Sequence, residues 1–227
     1  MTDGKQLSRF RRPLGKRFTG HENSIYALVT FPDGKRIATG SHDKTIRIWR
    51  LEDGREMKKW VVKHSVHALV ISRNGIHVVS AEGDYPQHDS DQMDYWQLWV
   101  RDAETGRVIA GPLNGHITTI KTLDISPDGG ILASGSSDGT VILWDTTTWQ
   151  SKGALECCAW LHCIRFSPTG QLGIGGKYIQ IWDLYRRERL AQFNGHAEFN
   201  YAWTKSLTWT PDGAHLLSAG WWSLDWA

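Results

Sequence analysis

The sequence predicts an all-β fold, an array of four-stranded antiparallel blades. Three observations carry this. A short paragraph of sequence recurs five times: FPDGKRIATGSHDKTIRIWR (31–50), SRNGIHVVSAEGD (72–84), SPDGGILASGSSDGTVILWD (126–145), SPTGQLGIGGKYIQIWD (167–183) and TPDGAHLLSAG (210–220). Its turn glycines, Gly34, Gly75, Gly129, Gly170 and Gly213, are spaced by 41, 54, 41 and 43 residues. Within the copies, runs such as RIATGS, IRIW, ILASGS and VILW are alternating and rich in β-branched and aromatic residues, so they read as strands. A period near forty, four short strands long, is the signature of propeller blades. Such a unit buries its face only against the next one, so function has to be read from the array.

The blades are expected at about 18–60, 61–112, 113–155 and 156–193, with an incomplete fifth at 194–227. Residues 1–9 read as a disordered basic lead and 10–227 as the propeller. In blade one, Ser-His-Asp-Lys supplies a tight turn and GREMKKW the outer strand. Blade two keeps His64, Ser80 and Asp84, but its Trp99 lies fifteen residues past the Asp instead of six. The extra residues fall in YPQHDSDQMDYW, whose Asp89, Asp91 and Asp94 read as a solvated or protein-contacting acidic loop. They lack the glycine turn and the final glutamate of a calcium loop. Blade three repeats blade one closely. Blade four has lost its Gly-His and its turn Asp, so Trp182 is expected to rely on packing alone. Blade five opens with Gly195-His196, carries the insert AEFNYAWTK and breaks off before its Trp, as a truncated or divergent end would. Residues 10–18 are a candidate outer strand for another blade. A five-blade ring and an open arc both remain, and the arc is the favoured reading.

Two copies share one spacing. Gly20-His21 precedes Thr39, Asp43 and Trp49; Gly115-His116 precedes Ser134, Asp138 and Trp144. In both, His to Asp is 22 residues, Ser/Thr to Asp is four and Asp to Trp is six. On these residues the chain resembles the WD-repeat β-propeller family over nearly its whole length from about residue 10. The resemblance implies a buried polar network in each blade: Trp49, Thr39, His21 and Asp43; Trp99, Ser80, His64 and Asp84; Trp144, Ser134, His116 and Asp138. Left unpaired, each buried polar group would cost about 1–3 kcal/mol. A catalytic reading of Ser, His and Asp is set aside, because the triplet recurs at one phase of a structural repeat and its Ser lies inside a strand, not on a strained elbow.

The resemblance also implies that partners bind the rim where the loops before each first strand project. Phase selects Ser24 and Tyr26, Ser65 and His67, Thr119 and Lys121, Trp160 and His162, and Trp203 and Lys205 as exposed positions there. Besides Ser24, Ser65 and Thr119 the set is aromatic, histidine and lysine, with no carboxylate, which suits an acidic or phosphorylated protein segment. The expected function is therefore a non-enzymatic scaffold for proteins or peptides. Alternatives are a piece of a longer WD-repeat protein without independent function, and a propeller touching nucleic acid through Lys5, Arg9, Arg11, Arg12, Lys16 and Arg17. Open blade edges also permit self-association. An enzymatic reading would rest only on His88 with Asp89 and Asp91. No nucleotide or metalloprotease motif is present, so no cofactor and no metal are expected.

Composition fits this picture. The chain is 227 residues, 40% hydrophobic and 22% charged, enough for a sizeable core. A net charge of +2 selects no partner class. Cys157, Cys158 and Cys163 cluster in one blade and read as reduced thiols. No apolar run spans a bilayer and the N-terminus is polar, which points to cytoplasm or nucleus without membrane contact.

Overall fold

Eighteen strands and no helix occur among the described residues of the computed structural model, 18–84, 96–157, 161–194 and 202–222. The predicted all-β blades are observed. Blade one comprises β1 (Ile25–Thr30), β2 (Arg36–Ser41), β3 (Thr45–Arg50) and β4 (Glu56–Val61). Blade two has β5 (Val66–Ile71), β6 (His77–Glu82), β7 (Gln97–Asp102) and β8 (Val108–Leu113). Blade three has β9 (Ile120–Ile125), β10 (Ile131–Ser136), β11 (Thr140–Asp145) and β12 (Ser151–Glu156). Blade four has β13 (Cys163–Phe166), β14 (Leu172–Gly175), β15 (Tyr178–Asp183) and β16 (Glu188–Asn194). These four sheets are antiparallel meanders in chain order. The fifth unit is a two-stranded sheet of β17 (Ala202–Trp209) and β18 (Leu216–Trp222).

The turn between first and second strands explains the repeated glycine. In all five units its N–H bonds back three residues, from Gly34 to Phe31 O, Gly75 to Ser72 O, Gly129 to Ser126 O, Gly170 to Ser167 O and Gly213 to Thr210 O, at 2.8–3.0 Å. Each of these glycines has φ between 65 and 90°, the left-handed region that a side chain disfavours.

The core lies between blades, not within them. Ala27, Ile46 and Ile48 of blade one pack with Val66, Leu69 and Val78 of blade two. Val79, Leu98 and Val100 of blade two meet Ile120, Leu123, Leu132 and Trp144 of blade three. Ala133, Val141 and Leu143 continue into Leu161, Ile164 and Ile174. Each fully buried Ile or Leu is worth about 1.5–3 kcal/mol, and almost all of it depends on the neighbouring blade. Close approach is built in: a Cβ on Gly40 would lie 2.4 Å from Val66 Cγ1 and 3.0 Å from its Cβ.

The inner strands β1, β5, β9, β13 and β17 pack on one another in sequence. Among the described residues the ring is not closed, since β17 and β18 form no face with β1. Residue Leu28 on β1 is 65% exposed and Leu217 on β18 is 58% exposed.

Candidate functional site

Blades one and three each hold a relay of buried polar groups. In blade one, Trp49 Nε1 donates to Thr39 Oγ1 at 2.8 Å. Thr39 Oγ1 lies 2.7 Å from His21 Nε2, and His21 Nδ1 lies 2.8 Å from Asp43 Oδ2. With the hydroxyl donating to Nε2 and Nδ1–H donating to the carboxylate, every proton has one acceptor. Blade three repeats this: Trp144 Nε1 to Ser134 Oγ at 2.9 Å, Ser134 Oγ to His116 Nε2 at 2.8 Å, and His116 Nδ1 to Asp138 Oδ2 at 3.1 Å. Burial pushes the Asp43 and Asp138 carboxyls up, but their hydrogen bonds outweigh it and hold both well below the ordinary range. The bonds come from Thr45, the Glu22 N–H and His21 in one blade, and from His116 and Thr140 in the other.

Sequence reasoning missed Thr45 and Thr140. Each donates its hydroxyl to the Asp two residues earlier at 2.6 Å, and its N–H to the same oxygen. The signal was available, because Asp-x-Thr recurs in both copies and this is the local chemistry of an Asx turn.

Blade two departs from the expected network. His64 Nδ1 does lie 3.1 Å from Asp84 Oδ2, and Asp84 also accepts the Ser65 N–H and hydroxyl. Ser80, however, donates to Glu82 Oε1 at 2.6 Å and accepts from Arg101 Nη1 at 2.6 Å. Trp99 does not take the place of Trp49 and Trp144. Those two lie opposite Ile37 and Leu132, and the matching residue opposite Val78 is Arg101. Leu98 and Val100 are both fully buried, which leaves Trp99 and Arg101 together on the Ser80 face. Counting across the insert selected the wrong member of that pair. Asp102 and Asp145 give the correct alignment, since each accepts the N–H groups two and three residues on. Arg101 pairs with the buried Glu82 at 2.6 Å. Glu82 Oε2 and Trp99 Nε1 have no hydrogen-bond partner among the described residues.

Blade four also corrects an expectation. Trp182 is not held by packing alone: its Nε1 donates to Gln180 Oε1 at 2.9 Å, and Gln180 Nε2 donates to Cys157 O and Gln192 Oε1. Where blades one and three have a hydroxyl, blade four has Ile174, and the amide two residues before the Trp supplies the acceptor instead.

The rim positions fall into two sets. Ser24, Ser65 and Thr119 anchor the second turn of their own blades, their carbonyls accepting from His42, Gly83 and Ser137 at 2.9–3.0 Å. Ser65 and Thr119 are buried, at 1% and 3% exposure, so the expectation that they are exposed is wrong. Ser24 stays exposed. Trp203 is half-buried, with its ring 5.6 Å from that of His162. Trp160 and the insert aspartates Asp89, Asp91 and Asp94 lie outside the described residues, as does the basic lead.

The other set lies on successive blades as two contacting pairs, Tyr26 with His67 and His162 with Lys205, with Lys121 on the blade between them. Tyr26 and His67 stack at 5.3 Å with 7° between rings. His42, from the second turn of blade one, meets Tyr26 edge-on, and the buried Trp96 does the same to His67. Sequence reasoning gave neither of these two a rim role. His67 Nε2 donates to Gly83 O at 3.0 Å. Further along, Lys205 Nζ lies 3.3 and 3.4 Å from the two ring nitrogens of His162. Burial, then Lys205 and Lys121, push the His162 imidazole down to about 4. Burial lowers His67 as well, the Gly83 carbonyl opposes it, and Lys121 adds to the lowering. Burial and Lys121 lower Lys205. Lys121 thus acts on His67 on one side and on His162 and Lys205 on the other, while Asp84 opposes it at His67.

Comparison with known proteins agrees with this geometry. The family model described as WD domain, G-beta repeat matches residues 12–50 and 107–145. Small ribosomal subunit protein RACK1 of Schizosaccharomyces pombe is 30% identical over 251 residues, covering 91% of this chain and 78% of its own. The chain belongs to the WD-repeat family. The RACK1 of Caenorhabditis elegans is 26% identical, with 91% of this chain and 77% of its own covered. The ribosome biogenesis protein WDR12 homolog of Nematostella vectensis is 29% identical over 77% of this chain and 40% of its own length. The two stretches matched by the WD-repeat model end at Arg50 and Asp145, one residue past Trp49 and Trp144, in the two blades with complete relays. In this WD-repeat chain, no group of three or more His, Cys, Asp or Glu able to hold a metal occurs among the described residues. No helix there is long and apolar enough to cross a membrane.

Proposed function

We propose that this chain is a non-enzymatic, intracellular scaffold that holds protein or peptide partners on the rim, with acidic or phosphorylated segments as preferred ligands. The set of Tyr26, His67, Lys121, His162 and Lys205 carries this reading. It offers stacked aromatic surface at one end and converging cations at the other, and none of its five residues is a carboxylate. Interface cores favour aromatics, and cations paired with phosphate or carboxylate give the stronger hydrogen bonds. Relatives named as ribosomal subunit and ribosome biogenesis proteins support assemblies as the setting. Against catalysis, Ser134 is fully buried and already bonded to His116 and Trp144, so its hydroxyl is closed to substrate.

The test is fluorescence anisotropy with a labelled peptide carrying phosphoserine among glutamates, beside a neutral peptide of the same length. Lys121→Glu with Lys205→Glu is expected to weaken the acidic peptide by about tenfold or more at an unchanged melting temperature. Equal binding of both peptides, or full binding by the charge-reversed protein, overturns the reading. The open ends supply a second reading, self-association, supported by the exposure of Leu28 and Leu217. A light-scattering mass that stays monomeric up to high concentration refutes it.

A further inference from the structure

The inner strands have a second end, away from the rim, where the proline-containing turns of successive blades gather. There a cavity of about 410 Å³ opens between blades two to five. Its walls include Phe166 and Trp209 with Pro127, Pro168 and Pro211, and its charged residues are Arg73 and Arg165. Among the described residues no aspartate or glutamate lines it. Its volume lies in the range of about 300–1,000 Å³ typical of small-molecule sites, though it is open on one side and Ser167, Thr208 and Thr210 stand among its apolar residues.

The lining is held in position by bonds that cross between blades. Arg73 of blade two donates through Nε to Ser126 O of blade three at 3.1 Å and through Nη2 to Ile125 O. Trp209 of the fifth unit donates its indole N–H to Arg165 O of blade four at 3.0 Å. Arg165 is exposed, and its Nη1 donates to the adjacent Ile164 O at 2.8 Å. Asp124, whose carboxylate feels both Arg165 and Arg73, does not itself line the cavity. Its carboxylate accepts the backbone N–H of Phe166 at 2.7 Å and of Ile125 at 2.9 Å. Both guanidiniums are thus fixed by backbone carbonyls and keep N–H donors in reserve. A guanidinium carries five donors in a planar fork that matches carboxylate and phosphate oxygens.

We propose that this cavity binds a small ligand consisting of an anionic group, a carboxylate or a phosphate monoester, on a flat apolar body. Arg165 and Arg73 hold the anion, and Trp209 with the prolines covers the apolar part. The site is separate from the rim.

The experiment is isothermal titration of the whole chain with phenyl phosphate, benzoate, inorganic phosphate and benzyl alcohol. At least one aromatic anion is expected to bind, with benzyl alcohol and inorganic phosphate weaker by about tenfold or more. Preference for phenyl phosphate identifies a phosphate site, preference for benzoate a carboxylate site, and parity a general anion site. Competition by a phosphoserine peptide marks a peptide side chain as the source, and its absence a free small molecule. Arg165→Ala should weaken the aromatic anions by about ten- to a hundredfold. It should leave the melting temperature alone, because Trp209 bonds the backbone of that residue and not its side chain. Lys121→Glu on the rim should change nothing here. Absence of heat from both aromatic anions at about 5 mM, or undiminished binding by Arg165→Ala, overturns the proposal.

Discussion

Replacing Trp144 by Ala tests whether the relay is a structural unit. The indole is 3% exposed and packs with Leu123, Ile125, Leu132 and Ile142 at the join of blades two and three. Removing a buried Trp side chain costs about 3–5 kcal/mol through lost transfer energy and the cavity left behind. The same change strips a donor from Ser134 Oγ, which is fully buried, and an acceptor left short costs about 1–3 kcal/mol. Together these reach about 4–8 kcal/mol, comparable with the whole stability of a domain at about 5–15 kcal/mol. Trp144→Phe separates the parts. It keeps most of the apolar surface, loses the N–H and should cost about 2–4 kcal/mol. The assay is urea unfolding followed by circular dichroism, with Trp182→Phe alongside. Trp182 is half-buried and donates to a side-chain amide, so its loss should shift the midpoint less. A Trp144→Phe midpoint equal to wild type, or equal shifts for the two variants, would refute the argument.

Two further predictions concern stability. Arg101→Ala leaves the Glu82 carboxylate buried without its partner, which should cost about 3–5 kcal/mol. The pair Arg101→Trp with Glu82→Ser copies the arrangement of blades one and three and should recover most of that, read as the urea midpoint. In acid, His162 resists protonation in the folded protein but not in the unfolded chain, so stability should decline as pH falls from about 6.5 toward its folded value of about 4. Asp43 and Asp138 bind protons more weakly when folded. Their contribution is therefore complete above about pH 4 and is lost only as pH falls through their depressed range. Thermal melts of His162→Asn against wild type should show a smaller loss between pH 6.5 and 4, and identical profiles would count against the burial of that ring.

The blades were legible because period, alternation and turn chemistry all agree at Gly34, Gly129 and their phase-mates. The relays of blades one and three were legible because two copies share every spacing. Blade two was misread at Trp99 for a physical reason. Strand register is set by which residues the core admits, here Leu98 and Val100, and an insert uncouples that register from distance along the chain. Gln180 was invisible because an amide can replace a hydroxyl as acceptor from a different strand. On the rim, phase picked out Tyr26, His67, His162 and Lys205, but it could not tell that Ser65 and Thr119 are buried. The lower cavity left no sequence signal at all. Arg73, Arg165 and Trp209 come from three different blades and meet only through stacking.

The interfaces between units are unequal. Those joining the first four blades bury many large aliphatic side chains, whereas the described contact of blade four with the last two strands rests on Cys163, Ile179 and Leu207, with Leu216 beside them. In a linear stack, stability is nearly a sum over neighbours, so opening begins at the weakest join and travels inward. Amide hydrogen exchange should therefore grade along the molecule, fastest in β17 and β18 and slowest in β6 and β10. Drawn out from its two ends, the arc would peel strand pair by strand pair from the fifth unit before the first blade yields.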